Sequence, residues 1–138
     1  GDAIQPVQDV LFRAVDASGN RVLNIHLPWS NSRVYWDAGN NGTSSYDRIY
    51  ATASASQFEG QWNHWVFVKD ATSGDMTIYV NGSEFHSGSG KTQTMSGITS
   101  AALGSGIGAD WYTGAIDEVI LYDVALSASE VSDLYNSY

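Results

Sequence analysis

The 138 residues contain no cysteine. Disulfide staples, thiolate nucleophiles and cysteine-ligated zinc are therefore excluded. Positive charge is nearly as scarce. Arg13, Arg21, Arg33, Arg48, Lys69 and Lys91 are the only lysines and arginines, and they stand against 15 acidic residues for a formal net charge of -9. Six cations are too few to neutralise a phosphate backbone, so nucleic acid is not an expected partner. The same balance disfavours an anionic membrane surface. The acidic residues are scattered rather than gathered into a tail. Long apolar runs are missing as well: none approaches the ~18 residues of a membrane span, and no leader pattern is present.

What remains fits one domain over residues 1–138. A chain of this length buries roughly two-thirds of its unfolded surface and needs no staples. Most segments alternate with period two, the signature of half-buried strands. Strands are expected over Asp9–Val15, Arg21–Leu27, Ser32–Asp37, Tyr46–Thr52, Asn63–Asp70, Met76–Val80 and Ser83–Ser87. Within Arg21–Leu27, the residues Leu23, Ile25 and Leu27 share one face. Asn81-Gly82 is the most favoured hairpin dipeptide, because a type I′ turn needs positive φ at both positions. A short strand is expected in "AALGSG" and a buried one in "AIDEVILYD" (Ala115–Asp123). Asp37–Asp47 is oxygen-rich but lacks the EF-hand spacing and reads as a solvated loop. Only the end is helical: Ser127 and Glu130 have capping-box spacing, and Val131, Leu134 and Tyr135 fall on one face. Short strands separated by Gly-rich turns predict an all-β antiparallel sandwich with a short C-terminal helix.

Two blocks resemble a known group. "GQWNHWVFVKDATSGDMTIYVNG" (Gly60–Gly82) and "GAIDEVILYDVALSASEVSDLY" (Gly114–Tyr135) are similar to the central hairpin and closing block of laminin-G-like, concanavalin-A-like jelly rolls. Pentraxins carry a similar closing block. "GNRVLNIHLPWSNSRVYWDAGN" resembles the laminin-G-like domains attached to secreted polysaccharide-degrading enzymes of aquatic bacteria. The resemblance implies a jelly roll, a secreted location and a carbohydrate or glycan ligand. It also implies one or two strands ahead of the segment matching Gly1, which this sequence lacks. An open sheet edge is then expected, to be completed by a second chain or an N-terminal fragment.

Sugar-binding surfaces set flat aromatics under pyranose C–H groups and place polar side chains at the hydroxyls. Two stretches offer this chemistry. Asp110, Trp111 and Tyr112 lie in a loop between glycines, and Trp29 follows Pro28 in a turn. Tyr35 and Trp36 are adjacent on a strand and point to opposite faces, one into the core and one outward. Trp29, Trp36, Asp110, Trp111 and Tyr112 are the ligand-binding candidates. The resemblance also implies a structural calcium with Asp117 as ligand; the alternative is that Asp117 hydrogen-bonds a turn. Catalysis is not expected. A jelly-roll glycosidase needs two converging carboxylates about 5–5.5 Å apart. Glu59, Glu84, Glu118 and Glu130 offer no such pair, and Asp117 and Glu118 would face opposite ways. Tyr35, His26 and Arg33 imitate a polysaccharide lyase set, as many strand-rich chains do. Trp62 and His64 read as packing groups. The expected function is a non-catalytic carbohydrate-binding module; the alternatives are a protein-interaction or architectural module, and an enzyme fragment.

Overall fold

A computed structural model describes residues 1–138. Eight strands form in chain order: β1 (Phe12–Asp16), β2 (Arg21–His26), β3 (Arg33–Ala38), β4 (Asp47–Thr52), β5 (Trp65–Asp70), β6 (Asp75–Val80), β7 (Ser83–Gly88) and β8 (Ile98–Leu103). Helices α1 (Ala55–Phe58) and α2 (Ala128–Asn136) complete the elements. One sheet has five strands in the order β4-β3-β2-β1-β8, and the other has three in the order β5-β6-β7. All neighbouring strands are antiparallel. The architecture is the expected antiparallel sandwich with a C-terminal helix, consistent with a jelly roll.

Register explains how one sheet acquires two unlike faces. Phe12, Ile25, Trp36 and Ile49 are Cα partners in a row across β1, β2, β3 and β4. The neighbouring row is Arg13, Asn24, Asp37 and Arg48. Successive residues on a strand point to opposite faces. The first row therefore packs inward while the second forms the outer face. Ile25, Trp36 and Ile49 join Leu27, Val34, Ala38, Met76 and Ile78 in the core between the sheets. Phe12, Trp65 and Phe67 pack against that core while only partly buried. Fully burying a side chain of this size contributes roughly 1.5–3 kcal/mol. Lys69 ties the layers together: its stem is buried, and its ammonium donates to the Ala38 carbonyl at 3.1 Å and to Asp47 at 2.6 Å.

The Asn81-Gly82 turn has φ of 49° and 75°, as a type I′ hairpin requires. The α2 cap also forms as its spacing predicts, with Ser127 and Glu130 bonding reciprocally. His64 is a packing residue, its ring stacked on Tyr135 at 5.9 Å and tilted against Tyr138 at 5.6 Å. Trp62 is 70% exposed ahead of β5 and does not share that role. The single turn of α1 has no counterpart in the periodicity; it is capped by Ser54 and Gln57 and buries Phe58.

Two expectations are corrected. Asp37–Asn40 are buried rather than solvated, because Asp37 and Ala38 belong to β3. Ala115–Asp123 forms no strand, and most of it is exposed. Its pattern is suited to a sheet, but a strand needs a partner for its backbone, and residues 115–126 make no backbone–backbone hydrogen bond. Val119, Ile120 and Leu121 remain exposed, Leu121 by 76%. Between this segment and the sheets lies an open apolar cavity of about 1050 Å³, reaching Phe12, Leu23, Trp65 and Phe67. Strand β5 is an edge strand with β6 as its one sheet neighbour.

Unpaired amides exchange quickly and laddered ones slowly. Hydrogen exchange should therefore show residues 115–126 labelling within seconds while β2, β3 and β6 stay protected for hours. Equal protection of both groups would contradict the unpaired placement.

Candidate functional site

The outer face of the five-stranded sheet holds the polar row. Asp37 has no solvent exposure, and two arginines close over it. Arg21 reaches its Oδ2 at 2.5 Å, and Arg48 binds it in a fork, with Nε on Oδ1 and Nη2 on Oδ2 at 2.8 Å. A fork of this kind fixes orientation as well as energy. Hydrogen bonding to Asp37 raises the pKa of Arg48 further, against the opposing effect of burial. Tyr46 lies under both guanidiniums, 4.8 Å from Arg21 and 5.1 Å from Arg48, and Tyr35 lies 4.8 Å from Arg48.

Arg13 is different because no carboxylate binds it. Its Nε donates to Asn24 Oδ1 at 2.7 Å and its Nη1 to the Gly106 carbonyl at 3.0 Å. Burial, and then the nearby Arg21 charge, lower its pKa. Gly106 allows this approach: a Cβ there would stand 3.0 Å from Nη1 and 2.9 Å from the Ala109 carbonyl. Asn24 is fully buried, and its Nδ2 has no hydrogen-bond partner.

His26 is the cross-strand partner of Tyr35, which pairs in turn with Tyr50. Its Nδ1 meets the Asp9 carbonyl at 2.9 Å. A carbonyl oxygen only accepts, so Nδ1 carries the hydrogen, and the neutral ring keeps Nε2 as an acceptor. Burial holds the His26 pKa below the usual histidine value, against the Asp9 hydrogen bond. The ring packs edge-on against Trp29 at 4.3 Å and Tyr35 at 5.8 Å.

Arg13, Arg21, His26, Trp29, Tyr35, Tyr46, Arg48 and Asp110 line an open pocket of about 410 Å³. Of the sequence candidates, Trp29 and Asp110 line it. Trp36 does not: it is 5% exposed in the core, with its indole Nε1 donating to the Val68 carbonyl at 3.2 Å. Tyr35 takes the outward position of that pair. Trp111 is 66% exposed beside Asp110, forms an isolated bridge with Val10 and stands outside the pocket lining. Tyr112 faces the cavity between the layers, where burial, then Asp9 and Asp2, raise its pKa. The arginines, Asn24, Asp37 and Tyr46 were missed as a site. Their only signal was polar residues alternating with apolar ones, which does not say which strands are neighbours.

At Asp117, any calcium would draw its other ligands from carbonyl and water oxygens rather than from side chains. Asp117 is exposed, its Oδ1 accepts the Glu118 amide at 2.9 Å, and no three His, Cys, Asp or Glu groups gather anywhere in the chain.

Two antiparallel sheets packed face to face, with a short C-terminal helix, define the chain as an all-β sandwich. The model of the concanavalin A-like lectin/glucanases superfamily matches residues 4–132, and the chain belongs to that family. Among solved structures, it is similar to the NanB sialidase from Streptococcus pneumoniae, with 26% identity, a TM-score of 0.69, 91% of this chain covered and 21% of that one. It is also similar to the binding domain of botulinum neurotoxin serotype G, with 16% identity, a TM-score of 0.66, 98% of this chain and 32% of that one. A third is the binding domain of botulinum neurotoxin DC in complex with rat synaptotagmin II, with 16% identity, a TM-score of 0.62, 93% of this chain and 30% of that one. The chain thus spans about a third or less of the length of each. No curated protein sequence matches it.

Both His26 and His64 have pKa values pushed down in the folded state, by burial first in each. The unfolded chain therefore takes up their protons first as pH falls. Stability is expected to be full at pH 7 and to decline from about pH 6.5 downward. A second decline begins at about pH 4, where the unfolded chain starts to protonate Asp70 and Glu130 while backbone hydrogen bonds from Thr72 and Ser127 keep them ionised in the fold. Urea midpoints at pH 8, 7, 6 and 5 read the first phase, and His26→Gln with His64→Gln should flatten it. Unchanged wild-type midpoints across that range would contradict this.

Proposed function

We propose that this chain is a non-catalytic carbohydrate-binding module whose ligand occupies the pocket on the five-stranded sheet. The observation that carries the reading is the convergence of three aromatic residues with His26, Asp110 and three arginines on strands and adjoining loops. Aromatic rings supply an apolar face for sugar C–H groups. Arginine N–H groups donate to hydroxyl oxygens, while Asp110 and His26 Nε2 accept from hydroxyls. Preorganisation limits the ordering cost of binding. Asp37 holds Arg21 and Arg48 in place before any ligand arrives.

Asp110 is the one carboxylate among the lining residues. Two-carboxylate glycoside hydrolysis has no second group there, which supports the non-catalytic reading. Likeness to toxin binding domains and to a sialidase suits a module that delivers a larger protein to glycans. Its place would be in a secreted bacterial enzyme or adhesin. A second reading, a protein-interaction module, draws on the open edge of β5 and the exposed apolar residues at 119–121.

Affinity electrophoresis across neutral and acidic polysaccharides tests the first reading. At least one glycan should retard the protein, and Trp29→Ala or Tyr35→Ala should weaken binding about five- to tenfold. Trp111→Ala should change it less than twofold or threefold, since Trp111 stands outside the pocket. No retardation by any glycan, or a rise in 235 nm absorbance or reducing ends, would overturn the proposal.

Calcium at Asp117 is a separate and lesser proposal, resting on the family resemblance, with carbonyl and water oxygens supplying the remaining ligands. It requires a higher melting temperature in calcium than in chelator, lost in Asp117→Ala. Superimposable melts would overturn it.

A further inference from the structure

We infer that the pocket selects sugars bearing a carboxylate, with Arg13 as the group that binds it. This rests on the carbohydrate-binding reading and adds a ligand class to it. The first observation is where the cations are. The chain is strongly acidic, with a net charge of -9, yet three of its six lysines and arginines line one 410 Å³ pocket. A polyol without charge needs no such gathering, since amides and hydroxyls serve sugar hydroxyls as well.

The second observation is how those charges are matched. Arg21 and Arg48 share the Asp37 carboxylate. Arg13 is bound only to neutral oxygens, those of Asn24 and Gly106. Asp110 is close enough to act on Arg13 through its charge but forms no ion pair with it. Three arginines thus face two carboxylates, one of them at the rim. Half-buried cations gain most from an anion that satisfies them with hydrogen bonds. The guanidinium has five N–H donors, and Arg13 uses two of them on the protein, which leaves three for a ligand.

The third observation is the group that positions Arg13. Asn24 Nδ2 is a fully buried donor without a partner, on the strand position between Arg13 and Asp37. Its orientation is set, because Oδ1 already accepts from Arg13. A buried unmet donor costs roughly 1–3 kcal/mol. An acceptor oxygen seated against Arg13 meets its free N–H groups, while Asn24 stands behind the lining residues and holds the guanidinium from below. A planar carboxylate provides two such oxygens in the geometry of the guanidinium fork.

Carboxylates on glycans come from uronic acids or from sialic acids, and the chemistry at Arg13 is shared. Isothermal titration would compare polygalacturonate with its methyl-esterified form, sialyllactose with lactose, and laminarin and carrageenan as neutral and sulfated controls. The expected result is binding to polygalacturonate or sialyllactose, weakened at least tenfold by esterification or by loss of the sialic acid. Arg13→Gln should cost at least tenfold on the acidic ligand. Arg13→Lys, which keeps the charge and loses the fork, should recover only part of it. If Arg13→Gln does not fold, the acid-against-ester comparison on the unaltered protein decides. Equal binding of acid and ester, tighter binding of carrageenan, or an Arg13→Gln variant that binds the acid normally overturns the inference. Binding to laminarin or lactose alone overturns it too, while leaving the carbohydrate reading intact. Binding to none of the six removes both.

Discussion

The polar face of this sandwich depends on one buried carboxylate. Asp37 is closed off from water on β3, with Arg21 of β2 on one side and Arg48 of β4 on the other. A charge in that position is tolerated only when paired and hydrogen-bonded. The pairing draws the two guanidiniums inward and holds them against Tyr46 and Tyr35. Side chains with long, flexible stems thereby become fixed walls. Without Asp37 the two arginines would repel one another and turn to solvent, and the pocket would lose its shape before its charge.

The two faces of the sheet are made by the same dipeptides. Phe12-Arg13, Asn24-Ile25, Trp36-Asp37 and Arg48-Ile49 each give one residue to the core and one to the outer face. The core row fixes the register, since a slip of one residue would exchange the faces. Hydrophobic packing therefore aligns Arg13, Asn24, Asp37 and Arg48 at the same level on neighbouring strands. Lys69 adds a polar tie between the layers, through the Ala38 carbonyl and Asp47, next to the same strands. The stability of the sandwich and the geometry of the pocket are consequences of one alignment.

The closing segment shows the opposite situation. Ala115–Asp123 has the composition of a buried strand, yet its apolar side chains face an open cavity. Local pattern supplies a preference for extended backbone but cannot supply the neighbour that extended backbone requires. The chain has a well-paired five-stranded layer carrying the pocket and a three-stranded layer with an open edge. The polar pocket lies on the outer face of the five-stranded layer, and the apolar cavity lies on its inner side, between it and the other layer.

The sequence by itself determined the all-β class, the hairpin at Asn81-Gly82 and the capped helix α2, because each rests on contacts within a few residues. It also determined that Leu23, Ile25 and Leu27 share a face, and that Tyr35 and Trp36 part company, because strand periodicity is local. Two of its site candidates, Trp29 and Asp110, line the pocket. Tertiary structure alone decided that Trp36 goes inward and Tyr35 outward, since that depends on which face meets β5 and β6. It alone brought Arg13, Asn24, Asp37 and Arg48 into one row. These residues lie on four strands, and only long-range pairing makes neighbours of them.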